Sequence, residues 1–112
     1  MPDVAPVPEG LHTVTPRLVV EDARAAIDFY GRAFGGVALG EPFTMPDGKV
    51  AHAETRLGDS VVYLVEPVDG GEGAAPSSLG GQVTAIMAVT VPDVDALWAR
   101  ALAAGCGLRA AR

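Results

Sequence analysis

The 112-residue sequence has one cysteine, Cys106. A single cysteine excludes an internal disulfide and fits a reducing, cytoplasmic setting. Flanked by glycines just past a helix, it reads as incidental rather than as a reactive thiol. Aromatic residues make up only 5% of the chain, so a core has to be assembled mainly from Val, Leu and Ala. Basic residues are also scarce: eight Lys and Arg stand against 14 Asp and Glu, giving a formal charge of -6. That balance argues against nucleic acid or an anionic membrane as a partner, because both require a basic patch. No apolar run is long enough to span a bilayer. The N-terminal MPDVAPVPEG is Pro-rich and acidic, without the basic and apolar regions of a signal peptide.

What is present suits one domain with a modest core: 49% hydrophobic and 20% charged residues. Residues 1–10 read as a disordered arm. HTVTPRLVV (12–20) reads as a strand, with Pro16 placing it at an edge or a bulge. Asp22 is a helix N-cap. Ala26, Phe29, Tyr30, Ala33 and Phe34 then follow the spacing of a helix with one buried face, which Gly35-Gly36 ends. VALGEPFTM is read as a strand, PDG (46–48) as a turn, 49–57 as a strand, Gly58-Asp59 as a hairpin turn and SVVYLVEP as a further strand. Residues 67–81, rich in Gly, Pro, Ser and acidic residues, read as a linker or loop. Residues 82–91 are read as a strand. Pro92-Asp93 opens a second helix, whose Val94, Leu97, Trp98, Ala101 and Leu102 repeat the helical spacing, with Gly105 as its C-cap.

The order is β-α-β-β-β, linker, β-α, and the second part restarts the first. A shift of 71 residues lays Asp22 on Asp93, and Ala26, Ile27 and Tyr30 on Leu97, Trp98 and Ala101. Internal duplication follows. Residues 11–66 form the first βαβββ module and 82–112 a partial second one. The expected fold class is α+β, with a mixed sheet curling into a cup.

The blocks TPRLVVEDARAAIDFYGRAFGG, PDGKVAHAETRLGDS and VTVPDVDALWARALAAG resemble the vicinal oxygen chelate superfamily, which holds glyoxalases, bleomycin-resistance proteins and extradiol dioxygenases. The PhnB-like branch is the nearest likeness. The resemblance implies a cup between two modules, holding in active members a divalent metal with carboxylate and imidazole ligands from four strands. A metal there polarises vicinal oxygens of a substrate by Lewis acidity. The positions that the resemblance assigns to ligands hold Thr15, Ile86 and a residue near Tyr63, with Glu66 close by. The final ligand strand would follow Gly105, where only CGLRAAR remains. Completing the second module takes three more strands, roughly 15–20 residues in strands alone. No metal or other cofactor is therefore expected.

The stretch DGKVAHAETRLGDS carries the candidate chemistry. Alternation puts His52, Glu54 and Arg56 on one strand face, and Ala51, Ala53, Thr55 and Leu57 on the other. If the first row faces the cup, His52 and Glu54 hydrogen-bond a polar ligand or move a proton. If it faces water, it is a solvated face on which Glu54 and Arg56 neutralise each other. Tyr63 points its hydroxyl into the cup in the ligand reading. Phe43 and Met45 line its mouth, and Trp98 is either packing or a stacking wall. Phe29 and Tyr30 are read as core, and Asp22 and Asp93 as caps.

The favoured function is metal-free binding of a small molecule, an antibiotic or oxygenated metabolite, with His52, Glu54, Tyr63, Trp98 and Phe43 as ligand contacts. A homodimer that shares strands would close the exposed edges. One alternative is a metal-dependent lyase, isomerase or dioxygenase of the glyoxalase/dioxygenase type. The other is a truncated, non-catalytic remnant or assembly module.

Overall fold

The computed structural model describes residues 6–67, 73–83 and 85–107. The first module is built around helix α1 (Ala23–Phe34) and strands β1 (Arg17–Val19), β2 (Val37–Ala38), β3 (Phe43–Thr44), β4 (Val50–Leu57) and β5 (Ser60–Val65). The sheet order is β1-β5-β4-β2, and β3 pairs with β4 on the same edge as β2. β1 runs parallel to β5, with Arg17 beside Tyr63; the pairs that β4 makes with β2, β3 and β5 are antiparallel. The result is a mixed α+β arrangement.

Several elements are shorter than their sequence suggests. β1 begins only after Pro16, which has no N–H to donate, although its carbonyl still accepts from Tyr63 N at 2.9 Å. It lies at the sheet edge, where a proline is tolerated. The strand expected over VALGEPFTM is two short pieces. Gly40, at a φ of 70°, and Pro42 separate them. Residues 68–72 of the expected linker and 1–5 of the expected arm lie outside the described residues. Within 73–81 the chain forms a short 3-10 helix, Pro76–Leu79, and buries Ala75.

α1 is set by local chemistry. Asp22 Oδ1 accepts from Ala25 N at 3.0 Å, satisfying one of the helix's open donors. At its far end Gly35 adopts a φ of 72°, and Gly36 N donates to Tyr30 O at 3.0 Å. A Cβ at Gly36 would lie 2.8 Å from Leu57 Cδ2, 3.1 Å from Thr55 Oγ1 and 3.2 Å from Tyr30 O, so a side chain there would force these neighbours to shift. α1 covers one sheet face. Ala23, Val50, Ala53 and Leu64 form the buried centre, flanked by Leu18, Val20, Ala26, Ile27 and Tyr30. Phe29 and Tyr30 are half-buried rather than fully enclosed. Val50 joins this core despite sharing parity with His52, because β3 pairs Phe43 with His52 and Thr44 with Val50. That slip of one residue in β4 is a bulge, and it reverses the facing of Val50.

The second part departs most from expectation. Helix α2 (Val94–Ala103) forms, and Asp93 caps it as Asp22 caps α1: Oδ1 accepts from Ala96 N at 3.0 Å. Its C-cap is Ala104, and Gly105, at a φ of 103°, is the residue just beyond. The strand expected at 82–91 does not form: among the described residues of that stretch none pairs into a sheet. β1 exists as a strand because it is laddered to β5 at residues 63–65, whereas no described strand offers residues 82–91 a ladder, and β-branched composition alone does not make a strand.

α2 rests on α1 rather than on a sheet. Arg100 Nε donates to Arg32 O at 2.8 Å and Arg100 Nη2 to Gly31 O at 3.0 Å. A guanidinium at the C-terminal carbonyls of a helix satisfies open acceptors and complements the helix dipole. Only Leu97 and Ala101 of the expected apolar face are half-buried; Val94, Trp98 and Leu102 are exposed.

Candidate functional site

β4 lies between α1 and open space, and its alternation sorts its side chains between them. Ala53 and Thr55 are buried toward α1, with Thr55 Oγ1 donating to Val37 O at 3.3 Å. His52, Glu54 and Arg56 face away from the helix, so the row does not belong to the core. β5 adds Tyr63 opposite Glu54, and Val61 opposite Arg56. β3 places Phe43 opposite His52.

Within this row His52 Nε2 lies 2.9 Å from Glu54 Oε2, a hydrogen bond in which the ring N–H donates to the carboxylate. The His52 and Tyr63 rings meet edge to face with centroids 4.7 Å apart. Glu54 thus pairs with His52 rather than with Arg56, the partner read for it on a face turned to water. Neighbouring positions on one face are about 7 Å apart along a strand, and the imidazole, backed by Tyr63, is the partner held in place. The Arg56 guanidinium makes no hydrogen bond or ion pair among the described residues.

Residues 9–11 of the N-terminal segment come to this face. Leu11 N donates to Pro8 O at 3.1 Å, closing a turn. Glu9, Gly10 and Leu11 then line, with Leu39, Glu54, Arg56, Val61 and Tyr63, an open surface cavity of about 380 Å³. The Glu54 carboxylate, the Tyr63 phenol and the Arg56 guanidinium here meet apolar walls from Leu11, Leu39 and Val61, and His52 stands behind them, joined to the lining through Glu54. Such a face suits hydrogen bonding to a polar organic molecule.

The other sequence candidates lie elsewhere. Trp98 sits on α2, 54% exposed, and lines neither this cavity nor the larger cleft described below. Phe43 is beside His52 in register but 64% exposed, and Met45 is also exposed. His12, the chain's other histidine and no candidate from the sequence, lies with Nε2 3.2 Å from Asp59 O. Of the positions implied to hold a metal, Thr15 is half-buried near the sheet edge and Ile86 is exposed. Among the described residues no three His, Cys, Asp or Glu side chains come together as a metal site. Neither Thr15 nor Ile86 supplies the carboxylate or imidazole that the resemblance implies at these positions.

Glu66 has a role that sequence reasoning missed. Its Oε2 accepts from Ala23 N and its Oε1 from Val50 N, each at 2.8 Å. One carboxylate therefore ties the first turn of α1 to the start of β4, and it is not free to ligate. Its place at the end of an apolar strand was visible, but both of its partners are distant in sequence.

A larger cleft of about 820 Å³ lies at the β1 edge, between Leu18, Tyr30, Phe34 and Val62 on one side and Met87 and Val89 on the other. Burial pushes the Tyr30 phenol above its usual range, keeping it neutral. The wall formed by residues 87–91 has no ladder to the sheet, so hydrogen bonds do not fix the width of this cleft. The walls of the smaller cavity include residues of two paired strands, β4 and β5.

A helix packed on a mixed sheet, in β-α-β-β-β order once β2 and β3 are taken as two pieces of one strand, is consistent with a glyoxalase-type module. The family model of the Glyoxalase/Bleomycin resistance protein/Dioxygenase superfamily matches residues 10–111, and the chain belongs to that superfamily. An uncharacterized protein of Mycobacterium bovis is 47% identical over 95 residues, covering 82% of this chain and 61% of its own length. An uncharacterized protein of Mycobacterium tuberculosis matches to the same extent over 55% of its length. The chain thus spans little more than half of these curated relatives. Among solved structures, TioX from Micromonospora sp. ML1 aligns with a TM-score of 0.56 at 29% identity, over 84% of this chain and 71% of TioX. No helix among the described residues is long and apolar enough to cross a membrane.

Proposed function

We propose that the chain binds a small oxygen-bearing organic molecule, an antibiotic or a metabolite, on the His52–Glu54–Tyr63 face. It does so without a metal, in the manner of the PhnB-like branch and in the reducing cytoplasm that a lone cysteine suits. The observation that carries this reading is the 2.9 Å His52–Glu54 hydrogen bond on a sheet face that α1 leaves open. Its polar groups converge, which is what orients a ligand in an otherwise apolar pocket. The superfamily supports a ligand-binding role, and the residues at the implied metal positions support binding without a metal.

The test has two arms. The protein is incubated with zinc, nickel, manganese or iron, dialysed, and analysed for metal. Metal near zero is expected, and about one tightly held ion per chain or per dimer overturns the metal-free reading. The protein is also screened against a panel of antibiotics and oxygenated metabolites by thermal shift. A ligand at a hundredfold excess over its Kd stabilises by about 2.7 kcal/mol. That stabilisation should be lost in His52→Ala and weakened in Glu54→Gln. A ligand whose effect survives both substitutions places the site elsewhere.

A further inference from the structure

We propose that the ligand of the His52–Glu54–Tyr63 face is a small monocarboxylic acid, anchored by the Arg56 guanidinium with the Tyr63 hydroxyl beside it. This deepens, and rests on, the reading of that face as a binding site. The ion pairs among the described residues are Arg32–Asp28 and His52–Glu54. Arg56 therefore stands two residues from a carboxylate that is already taken. The five N–H donors of its guanidinium have no acceptor among the described residues, and Arg56 lines the open cavity.

β4 and β5 bring a second donor to the same place. Arg56 lies opposite Val61 and Tyr63 opposite Glu54, so Arg56 and Tyr63 are diagonal neighbours on one face. Such positions are about 7–8 Å apart, within reach of long side chains. The Tyr63 ring stands edge to face against His52. Its hydroxyl also has no hydrogen-bond partner among the described residues. A planar fork of N–H groups with an O–H nearby matches a carboxylate, which only accepts and does so through two oxygens. Val61 shares this face and is 8% exposed. With Leu11 and Leu39 it gives the apolar body of such an acid a surface to lie on.

The charges around the cavity decide which anion fits. Glu9 and Glu54 line it together with Arg56. One guanidinium offsets one negative charge. A phosphate monoester carries about −1.5 to −2 at neutral pH and would meet two carboxylates with charge left uncompensated. A monocarboxylate brings no such excess. The other arginine on this face, Arg17, is in register with Tyr63 but reaches toward Ala51 O at 3.5 Å and is not part of the lining. Selection of the acid therefore falls to Arg56. The cavity, about 380 Å³, is near the lower end for ligand pockets, which suits an acid with a single ring.

The test compares matched acids and amides on the full chain: benzoate with benzamide, phenylacetate with phenylacetamide, 3-phenylpropionate with its amide, and phenyl phosphate as the dianion. Binding is followed at neutral pH and low salt by the NMR shifts of the backbone amides of residues 52–56 and 61–63. The acids should bind about tenfold or more tighter than their amides and tighter than phenyl phosphate. Raising the salt concentration about tenfold should weaken the acids and not the amides. Arg56→Gln should abolish the preference for the acid, Arg56→Lys should keep part of it, and Tyr63→Phe should reduce it. Arg17→Gln removes a charge from the same face and should change it by no more than roughly twofold. Amides that bind as tightly as acids overturn the proposal and leave the face a binding site. So does a preference that survives Arg56→Gln, or phenyl phosphate binding tighter than the acids. If no compound shifts these amides the proposal also falls, and the thermal-shift panel above decides separately whether the face binds anything. The wild-type comparison of acid with amide decides the matter even if a variant fails to fold.

Discussion

At the residue scale, the side chain with the largest structural consequence is Glu66. A carboxylate accepting two backbone N–H groups makes charge-assisted bonds, which are shorter and stronger than neutral ones. Here the two donors belong to different elements, Ala23 of α1 and Val50 of β4, both in the buried core cluster. Removing the carboxylate leaves two donors near the core without partners, and each such loss costs about 1–3 kcal/mol. Glu66→Ala should therefore lower the unfolding free energy by about 2–5 kcal/mol in urea titrations. Glu66→Gln keeps one acceptor oxygen and should lose less. If Glu66→Ala is as stable as the wild type, the carboxylate is not a clamp and becomes available to a ligand.

At the scale of elements, the two helices have the same cap and different fates. Asp22 and Asp93 each accept from the residue three positions on at 3.0 Å. Yet α1 lies on the sheet, whereas α2 rests chiefly on α1 through Arg100. Asp22→Ala should cost about 1 kcal/mol of global stability. Asp93→Ala should leave the main urea transition nearly in place while reducing helical circular dichroism before it. Equal losses from both would mean that α2 unfolds together with the first module. The same contrast explains what could be read from the sequence. Caps, the apolar positions of α1 and the Gly58-Asp59 turn depend on neighbours within a few residues, and they were legible. The His52–Glu54–Arg56 row was legible as a face because strand alternation is local. The choice of Glu54 between His52 and Arg56 was not, because it depends on Tyr63 across the sheet. The bulge that turns Val50 inward depends on β3, and the partners of Glu66 lie 43 and 16 residues away. The strand at 82–91 was overread for the same reason: β-branched composition favours a strand, but only a partner makes one.

At the scale of the whole molecule, order is concentrated in the first module. Val61, Val62, Leu64 and Val65 are all buried, and β5 is paired on both sides, with β1 and with β4. Opening those bonds requires the sheet to come apart. The described residues of 82–91 have no sheet partners, and those at 85–90 are exposed. Amides in such a segment exchange through local opening, independently of global stability. In native-state hydrogen exchange, the β5 amides should exchange with a free energy equal to that of global unfolding and fall in step with it as urea is added. The amides of 85–91 should exchange with little protection and no dependence on urea. The experiment belongs at a concentration where sedimentation shows monomer, so that contacts between copies contribute nothing. Strong protection of 85–91 in that monomer would mean that the segment has a ladder within its own chain. β1 would then be the partner to look for, since the cleft at its edge is the space such a pairing would close.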